Sequence, residues 1–207
     1  MKKLLSIPVL LLLFSSFSFA QVRETTYYDD GSYYTGQRDA KGRRHGDGMM
    51  VFANGDRYEG NWKKGDIDGQ GTKTYADGLV YSGNWKKGNI VGHGVFRWPN
   101  GDMLEGEWTG MGTGDGYFKW ADGTRVDGHF VNGAATGPCI KIWADGSRYE
   151  GNFVQGHLSG QGTMVYPDGS KYSGQWQNDM YEGEGTYTTA DGEVIKGRFH
   201  AGKLLDD

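Results

Sequence analysis

The chain has 207 residues, and its 22 Lys and Arg against 26 Asp and Glu leave a formal net charge of −4 without a basic stripe, which disfavours nucleic acid and anionic membranes as partners. Its 37 glycines suggest a linker, but 7 Trp, 13 Tyr and 9 Phe are incompatible with a disordered chain. Cys139 is the only cysteine, which excludes a disulfide within one chain; we expect a buried, unreactive thiol, with pairing between two chains as the alternative.

Residues 1–20 predict a secretory signal peptide. Lys2 and Lys3 precede the apolar run Leu4–Phe14, and Ser18-Phe19-Ala20 places small residues where a signal peptidase cuts. The run is short for a membrane span, and no comparable run follows it. We therefore expect cleavage after Ala20 and an exported protein, periplasmic or secreted.

After a lead-in over residues 21–33, an internal repeat occupies residues 34–207. Its marker is an Asp-Gly or Asn-Gly pair at intervals of 22 to 24 residues, beginning at positions 30, 54, 77, 100, 122, 145, 168 and 191. Successive units open at Tyr34, Tyr58, Tyr81, Leu104, Val126, Tyr149, Tyr172 and Ile195. A regular period of this kind predicts stacked copies of one supersecondary unit.

Within each unit a glycine follows the opening residue by two positions, and Trp or Phe follows it by four, except for Arg38 in the first unit. A turn, a second strand with a Gly-x-Gly pair and a closing ring come next, except that Cys139 replaces the second glycine of the fifth unit and Thr189 the ring of the seventh. Alternate residues of a strand share a face, so the opening residue, the glycine and the ring lie together. We expect rings to fill the space above glycines of neighbouring strands and to stack between units, in columns formed by Tyr58, Trp62, Tyr75, Tyr81, Trp85, Trp98, Trp108, Trp120, Phe130, Trp143, Tyr149, Phe153, Tyr166, Tyr172 and Trp176.

The predicted fold is all-β: an elongated, single-layer antiparallel sheet of about seven full hairpins and a partial eighth, with no substantial helix after signal removal. Asp-Gly and Asn-Gly favour tight hairpin turns with positive φ at both central residues. The fourth unit, residues 104–125, is one residue short, so we expect a kink or a change of twist near Gly110–Gly116. In the seventh unit, Asp179 replaces the turn glycine.

The pattern Tyr-x-Gly-x-Trp-x-x-Gly-x-x-x-Gly-x-Gly resembles the MORN (membrane occupation and recognition nexus) repeat. The clearest copies run from Tyr58 to Gly71, from Tyr81 to Gly94 and from Tyr149 to Gly162. This resemblance covers nearly the whole mature chain and, with the signal peptide, indicates a bacterial exported type. It implies a platform for binding or assembly, whose partners are other proteins, copies of itself or membrane phospholipids.

No catalytic, cofactor or metal site is predicted. The five histidines occupy different offsets within their repeats, and the glycine run Gly110–Gly116 lacks the following helix that a phosphate loop needs. No Gly-x-Ser-x-Gly elbow is present, and an open sheet offers no cleft for a carboxylate pair. Acidic residues one position after the opening residue could form a stripe that binds a cation or a basic segment, although a solvated sheet face is the simpler interpretation: Glu59, Glu105, Asp127 and Glu150.

We expect a non-catalytic binding or assembly module that docks a protein partner or a second copy of itself. The face opposite the rings is mixed and more apolar in the middle units, which makes it the candidate interaction face: Val95, Arg97, Tyr117, Lys119, Ile140, Ile142 and Val165. The alternative is binding of cell-wall glycan or lipid headgroups through exposed aromatic columns, with headgroups disfavoured by the acidic charge. An enzyme is the least favoured interpretation.

Overall fold

The computed structural model describes residues 24–205, so the predicted signal peptide of residues 1–20 lies outside the described residues. The described part forms a single sheet of 17 strands. The strands are β1 (Glu24–Tyr27), β2 (Tyr33–Arg38), β3 (Arg44–Val51), β4 (Arg57–Lys63), β5 (Asp66–Thr74), β6 (Val80–Lys86), β7 (Asn89–Arg97), β8 (Met103–Gly110), β9 (Thr113–Lys119), β10 (Arg125–Val131), β11 (Ala134–Ile142), β12 (Arg148–Val154), β13 (His157–Val165), β14 (Lys171–Gln177), β15 (Met180–Thr188), β16 (Val194–His200) and β17 (Lys203–Leu204).

Each strand pairs antiparallel with the next strand in the chain, from β1 to β17. This up-and-down order follows from the short connections, because tight turns make consecutive strands antiparallel neighbours. Residues 24–205 contain no helix, and thus none long and apolar enough to cross a lipid bilayer. The prediction of an all-β, open antiparallel sheet is confirmed.

Two kinds of turn alternate along the sheet, and their backbone geometry differs from the one we expected. At the Asn54-Gly55 turn, Gly55 N–H donates to Phe52 O (3.0 Å) and Phe52 N–H donates to Asp56 O (2.8 Å), with positive φ only at Gly55. This is a three-residue loop with glycine in the left-handed position, not a two-residue turn. The pair of positive φ values occurs instead at the other turn, at Lys64 (55°) and Gly65 (103°).

The glycines admit rings, as predicted, but from a different direction. Gly60 and Gly71 lie opposite each other in β4 and β5, and a Cβ on either would collide with the hydroxyl oxygen of Tyr58. The opening tyrosine therefore covers the glycine of its own strand together with that of its hairpin partner, rather than a glycine of another unit. The Tyr58 hydroxyl then donates to Asn61 O (3.1 Å), which satisfies a buried polar group.

Successive units are joined through rings that meet edge to face instead of stacking. Trp85 lies 5.6 Å from Tyr58 of the preceding unit and 5.1 Å from Tyr81 of its own, at interplanar angles of 86° and 88°. Its indole N–H also donates to Gly71 O of the preceding unit (3.1 Å). Edge-to-face packing suits the ring quadrupole and contributes about 0.5–1.5 kcal/mol per pair beyond burial. Tyr172 and Tyr181 are the stacked pair among the described residues, at 3.7 Å.

The fourth unit departs from the others where the sequence predicts a kink. In the second unit the pairing shifts between Gly60 and Trp62, immediately after the paired glycines. In the fourth unit regular pairing continues through Trp108 and the shift falls between Trp108 and Gly110. The missing residue thus moves the β-bulge, which changes local strand direction, two residues along the first strand.

Candidate functional site

The two faces of the sheet differ in what they leave accessible. The face that carries the opening residues is here called the aromatic face, and the opposite one the mixed face. On the aromatic face, two groups of the predicted columns form the core: the opening residues and the rings four positions after them. These residues are at most 5% exposed: Tyr58, Trp62, Tyr81, Trp85, Trp108, Phe130, Tyr149, Phe153, Tyr172 and Trp176. Burial raises the pKa of Tyr81 and of Tyr149 to about 12. These rings hold the fold together and are not available to a ligand.

The closing rings are the accessible part of the aromatic face. They lie beside the Asp-Gly turns, pack against the core and stay partly exposed: Phe52, Tyr75, Trp98, Trp120, Trp143 and Tyr166. Near the C-terminal end Tyr166 lines an open groove of about 740 Å³ together with Tyr181, Tyr187 and Phe199. The columns predicted as one set therefore divide into a buried part and a repeating, half-open row.

The residues of the candidate interaction face lie together on the mixed face, and their role in binding stays a prediction. Val95, Tyr117 and Ile140 lie in one row across the sheet, separated by Glu105 and Asp127. The adjacent row contains Arg97, Lys119, Ile142 and Val165, of which Ile142 is 42% and Val165 37% exposed. The patch spans β7 to β13, with charged side chains between its apolar members.

The predicted acidic stripe lies on the mixed face, but arginines and a tyrosine partner it. Arg57 pairs with Glu59 (2.6 Å) and Arg148 pairs with Glu150 (2.7 Å), each two residues apart in the chain. Arg125 pairs with Asp127 in the same way. The Tyr117 hydroxyl donates to Glu105 (2.6 Å). The stripe is thus locally neutralised, and a basic segment would have to displace these partners.

Four histidines lie next to a carboxylate, an arrangement that the offsets within repeats did not reveal. The pairs are His93–Glu105, His129–Asp115, His157–Asp179 and His200–Glu182, and the histidine side chains are 48–70% exposed. One of these pairs, His129–Asp115, lies in facing positions of β10 and β9, so the strand register specifies it. Among residues 24–205 no group of three or more His, Cys, Asp or Glu could hold a metal ion.

Cys139 replaces the second glycine of the fifth unit. It pairs with Gly128 on one side and Gly151 on the other, is 5% exposed and has a pKa raised by burial. A Cβ on Gly128 would collide with the Cys139 sulfur, so the thiol fills space that a tyrosine ring fills elsewhere. A buried, protonated thiol of this kind is unreactive.

Two lysines on the aromatic face were not singled out from the sequence. The second strand of each unit contributes one side chain beside the opening residues: Met50, Lys73, Phe96, Phe118, Lys141, Met164 and Tyr187. Lys73 and Lys141 are the charged members of this row. The available signal was their position two residues before a closing ring, which strand alternation places on the same face as that ring.

A single sheet built of stacked hairpins, with a linear core and open faces, defines a β-repeat protein. The MORN repeat model matches residues 40–57, 58–80, 81–103, 127–148, 149–171 and 172–194, which is more than half of the chain. The protein therefore belongs to the MORN repeat family. The matched segments omit the whole of the irregular fourth unit, residues 104–125.

Comparisons with other proteins add little beyond strand content. The comparison with curated proteins found no match. Among solved structures, the TCP domain of Drosophila melanogaster SAS-4 with a proline-rich motif of Ana2 is 15% identical, with 95% of this chain and 97% of that chain covered and a TM-score of 0.36. The TCP10 domain of Danio rerio CPAP with a STIL peptide is 17% identical over 87% and 96%, with a TM-score of 0.31. Virginiamycin B lyase from Staphylococcus aureus is 16% identical over 87% and 57%, with a TM-score of 0.17. These TM-scores are too low to carry a functional conclusion.

Proposed function

We propose that this protein is a non-catalytic, exported binding module that docks a protein partner or a second copy of itself on the mixed face between β7 and β13. The observation that carries the proposal is the group of apolar side chains Val95, Tyr117, Ile140, Ile142 and Val165, interspersed with charged ones, on a sheet with no second layer. An exposed apolar patch bordered by charges is typical of an interaction surface.

The charges of the patch favour a partner surface with acidic and apolar side chains. Arg125 and Arg148 are neutralised by their own acidic neighbours, whereas Arg97 and Lys119 take part in no ion pair among residues 24–205. These two cations flank the apolar side chains on the row nearest the Asp-Gly turns. Complementary charge would guide the encounter, and the apolar residues would supply most of the affinity.

Site-specific photocrosslinking tests the proposal in the organism's own cells. A benzophenone amino acid at Ile142 should give a discrete crosslinked product, and Arg97→Glu combined with Lys119→Glu should remove it. Val194 offers a matched control, because it lies on the same row beyond the patch and is 56% exposed. Equal labelling from Ile142 and Val194, or a purified protein that stays monomeric and forms no product from Ile142, would refute the proposal.

Cell-wall glycan remains a second candidate because of the closing rings. Trp98, Trp120 and Trp143 are partly exposed and recur once per repeat, as stacking platforms for successive sugars would. Sedimentation with insoluble peptidoglycan would distinguish this candidate. Retention that survives the Arg97→Glu and Lys119→Glu changes but is lost on replacing Trp143 with Ala would favour glycan over a protein partner.

Export is part of the proposal and is supported by the composition of residues 1–20. Expression of the full chain in its own host, followed by fractionation and N-terminal sequencing, tests it. The mature protein should begin at Gln21 and appear outside the cytoplasm. A cytoplasmic protein that retains Met1 would contradict the assignment.

A further inference from the structure

Lys73 and Lys141 occupy the same place in two repeats, each between two closing rings. The Lys73 ammonium lies 5.6 Å from the centre of Phe52 and 4.4 Å from that of Tyr75. The Lys141 ammonium lies 5.0 Å from the centre of Trp120 and 4.7 Å from that of Trp143. Indole is the strongest cation–π partner among the side chains, so the second site holds its cation between the better rings.

The two sites differ in the counter-charge. At the first, Asp56 Oδ2 lies 3.0 Å from the Lys73 ammonium, while Asp56 Oδ1 accepts the backbone N–H of Ala76 (3.0 Å). At the second, Thr124 stands where Asp56 stands, and its hydroxyl accepts the backbone N–H of Ala144 (3.3 Å). Threonine thus keeps the bond that joins one turn to the next and lacks the oxygen that neutralises the lysine.

Lys141 is consequently a partly desolvated cation without an ion-pair partner in the described chain. Burial lowers its pKa, and Asp179 and Asp122 oppose this shift only from beyond ion-pair distance. No carboxylate among residues 24–205 lies within 4.0 Å of its ammonium. A half-buried charge in this position is costly unless a partner of opposite charge reaches it.

A cavity adjoins this lysine. It has a volume of about 260 Å³, and its walls are formed by side chains that include Phe118, Trp120, Val126, Phe130 and Phe153, with Lys141 as the charged member. Apolar walls with one placed charge are the usual composition of a small-ligand site. The volume suffices for a small ring or a branched side chain.

We propose that this cavity binds a carboxylate attached to an apolar group, with the carboxylate on Lys141 and the apolar group against the aromatic walls. The Asp56–Lys73 pair shows the geometry in which a carboxylate meets a lysine at this place in the repeat. A singly charged carboxylate matches one ammonium, whereas a phosphate would leave charge unbalanced in an apolar cavity. The site lies on the aromatic face and does not depend on the mixed-face interaction proposed above.

The carboxylate can come from a free organic acid or from an acidic side chain of a polypeptide, and the experiment distinguishes these sources. The mature protein is titrated with sodium phenylacetate and, separately, with the blocked peptide acetyl-Leu-Glu-Leu-amide. Phenylacetamide and acetyl-Leu-Gln-Leu-amide are the uncharged counterparts. Calorimetry gives affinity and stoichiometry, and the indole N–H signals of Trp120 and Trp143, assigned by single Trp→Phe variants, report the location.

At least one carboxylate should bind in 1:1 stoichiometry and shift both indole signals, and its amide should not. Phenylacetate alone indicates a small organic acid, and tighter binding of the peptide indicates an acidic polypeptide. Lys141→Met should weaken binding by about tenfold or more, because the charged hydrogen bond is lost. Lys73→Met, the matched control, should leave affinity unchanged.

One exchange between the sites tests the mechanism with both lysines in place. Thr124→Asp should fill the second site from within the chain and abolish binding. The proposal fails if neither carboxylate binds, if carboxylate and amide bind alike, or if Thr124→Asp leaves affinity unchanged in a protein whose melting temperature shows that it is folded.

Discussion

The second unit (residues 58–80) and the fourth (residues 104–125) perform the same structural task with different parts. Tyr58 covers Gly60 and Gly71 with its ring, whereas Leu104 takes the same place in the fourth unit and is 1% exposed. Gly106 and Gly116 still approach each other's backbone too closely for a Cβ. Close strand approach, not the tyrosine ring, is therefore what these two units share.

The turns of the two units differ as well. Gly65 N–H donates to Arg44 O of the preceding unit (2.9 Å), and Gly88 and Gly133 make equivalent bonds across their own unit boundaries. Among the described residues the Gly112 N–H makes no such bond to Ile90 O. One missing residue thus removes a link between units while leaving the strand pairing of β7 and β8 complete. Strand pairing tolerates the deletion because it lies beyond the paired glycines.

The largest expected loss of stability comes from replacing a paired glycine of the regular second unit. In Gly71→Ala the new methyl group overlaps the Tyr58 ring and the strand cannot move away, since Gly60 faces it. We expect a loss of about 2–3 kcal/mol in the free energy of unfolding, measured with urea. Gly110→Ala in the fourth unit is the control, because nothing lies within 4 Å of the added atom. It should change stability by less than about 0.5 kcal/mol; equal losses would disprove the close-packing account.

A smaller effect concerns Lys73, whose place Phe118 takes in the fourth unit. Lys73→Met removes the partner of Asp56 and should cost about 1–2 kcal/mol near neutral pH, between the values for exposed and buried pairs. Burial raises the pKa of Asp56, but the hydrogen bonds from Lys73, Ala76 and Asn54 outweigh it and leave the pKa below 3.8. The Asp56 carboxyl therefore binds a proton more tightly in the unfolded state than in the folded state. The stability that the Asp56–Lys73 pair contributes is present above about pH 3.8, and it is lost as pH falls through the folded pKa of Asp56.

Urea unfolding between about pH 2 and pH 7 checks this dependence. The variant should lie closest to the parent at the acid end and farthest from it near neutrality. Lys63→Met provides the control, as Lys63 is exposed and outside every ion pair of residues 24–205. A constant difference between Lys73→Met and the parent across the pH range would show that packing, not charge, explains the loss.

The smallest expected effect concerns the turn that joins the two strands of a unit, compared between the third and fourth units. Lys87 has a φ of 48°, a left-handed conformation that asparagine adopts at lower cost than lysine. Lys87→Asn should therefore raise the free energy of unfolding by up to about 0.5 kcal/mol. Met111, in the fourth unit, is not among the residues with positive φ, so Met111→Asn should bring no gain. Differential scanning calorimetry on both variants resolves the sign, and a gain in Met111→Asn alone would reverse our assignment of the turns.

Much of this architecture could be read from spacing. The interval of about two dozen residues, glycine two after Tyr58 and Trp62 four after it define alternating strands, and short connections leave no topology except consecutive antiparallel pairing. The glycine-over-ring principle was also correct. The alternation of side chains along a strand was sufficient to place Val95 and Ile142 on the mixed face.

Other features depended on exact register and were predicted wrongly or not at all. Asn54-Gly55 was expected to form a two-residue turn, but the hydrogen bonds of Phe52 place one more residue in the loop. Rings were expected to stack, but Trp85 meets Tyr58 edge to face, and a β-bulge shifts the pairing between Gly83 and Trp85. Spacing counts residues along a strand and is insensitive to such bulges.

The sequence by itself determined a ladder of like hairpins, because period-two alternation and side-chain-free positions restrict the backbone locally. Only the tertiary structure decided which of its rings remain accessible and which charges are paired. Burial and ion pairing depend on contacts between residues of different hairpins, as between Asp56 and Lys73. The lack of such a contact at Lys141 is likewise a property of register across several strands, which no local pattern specifies.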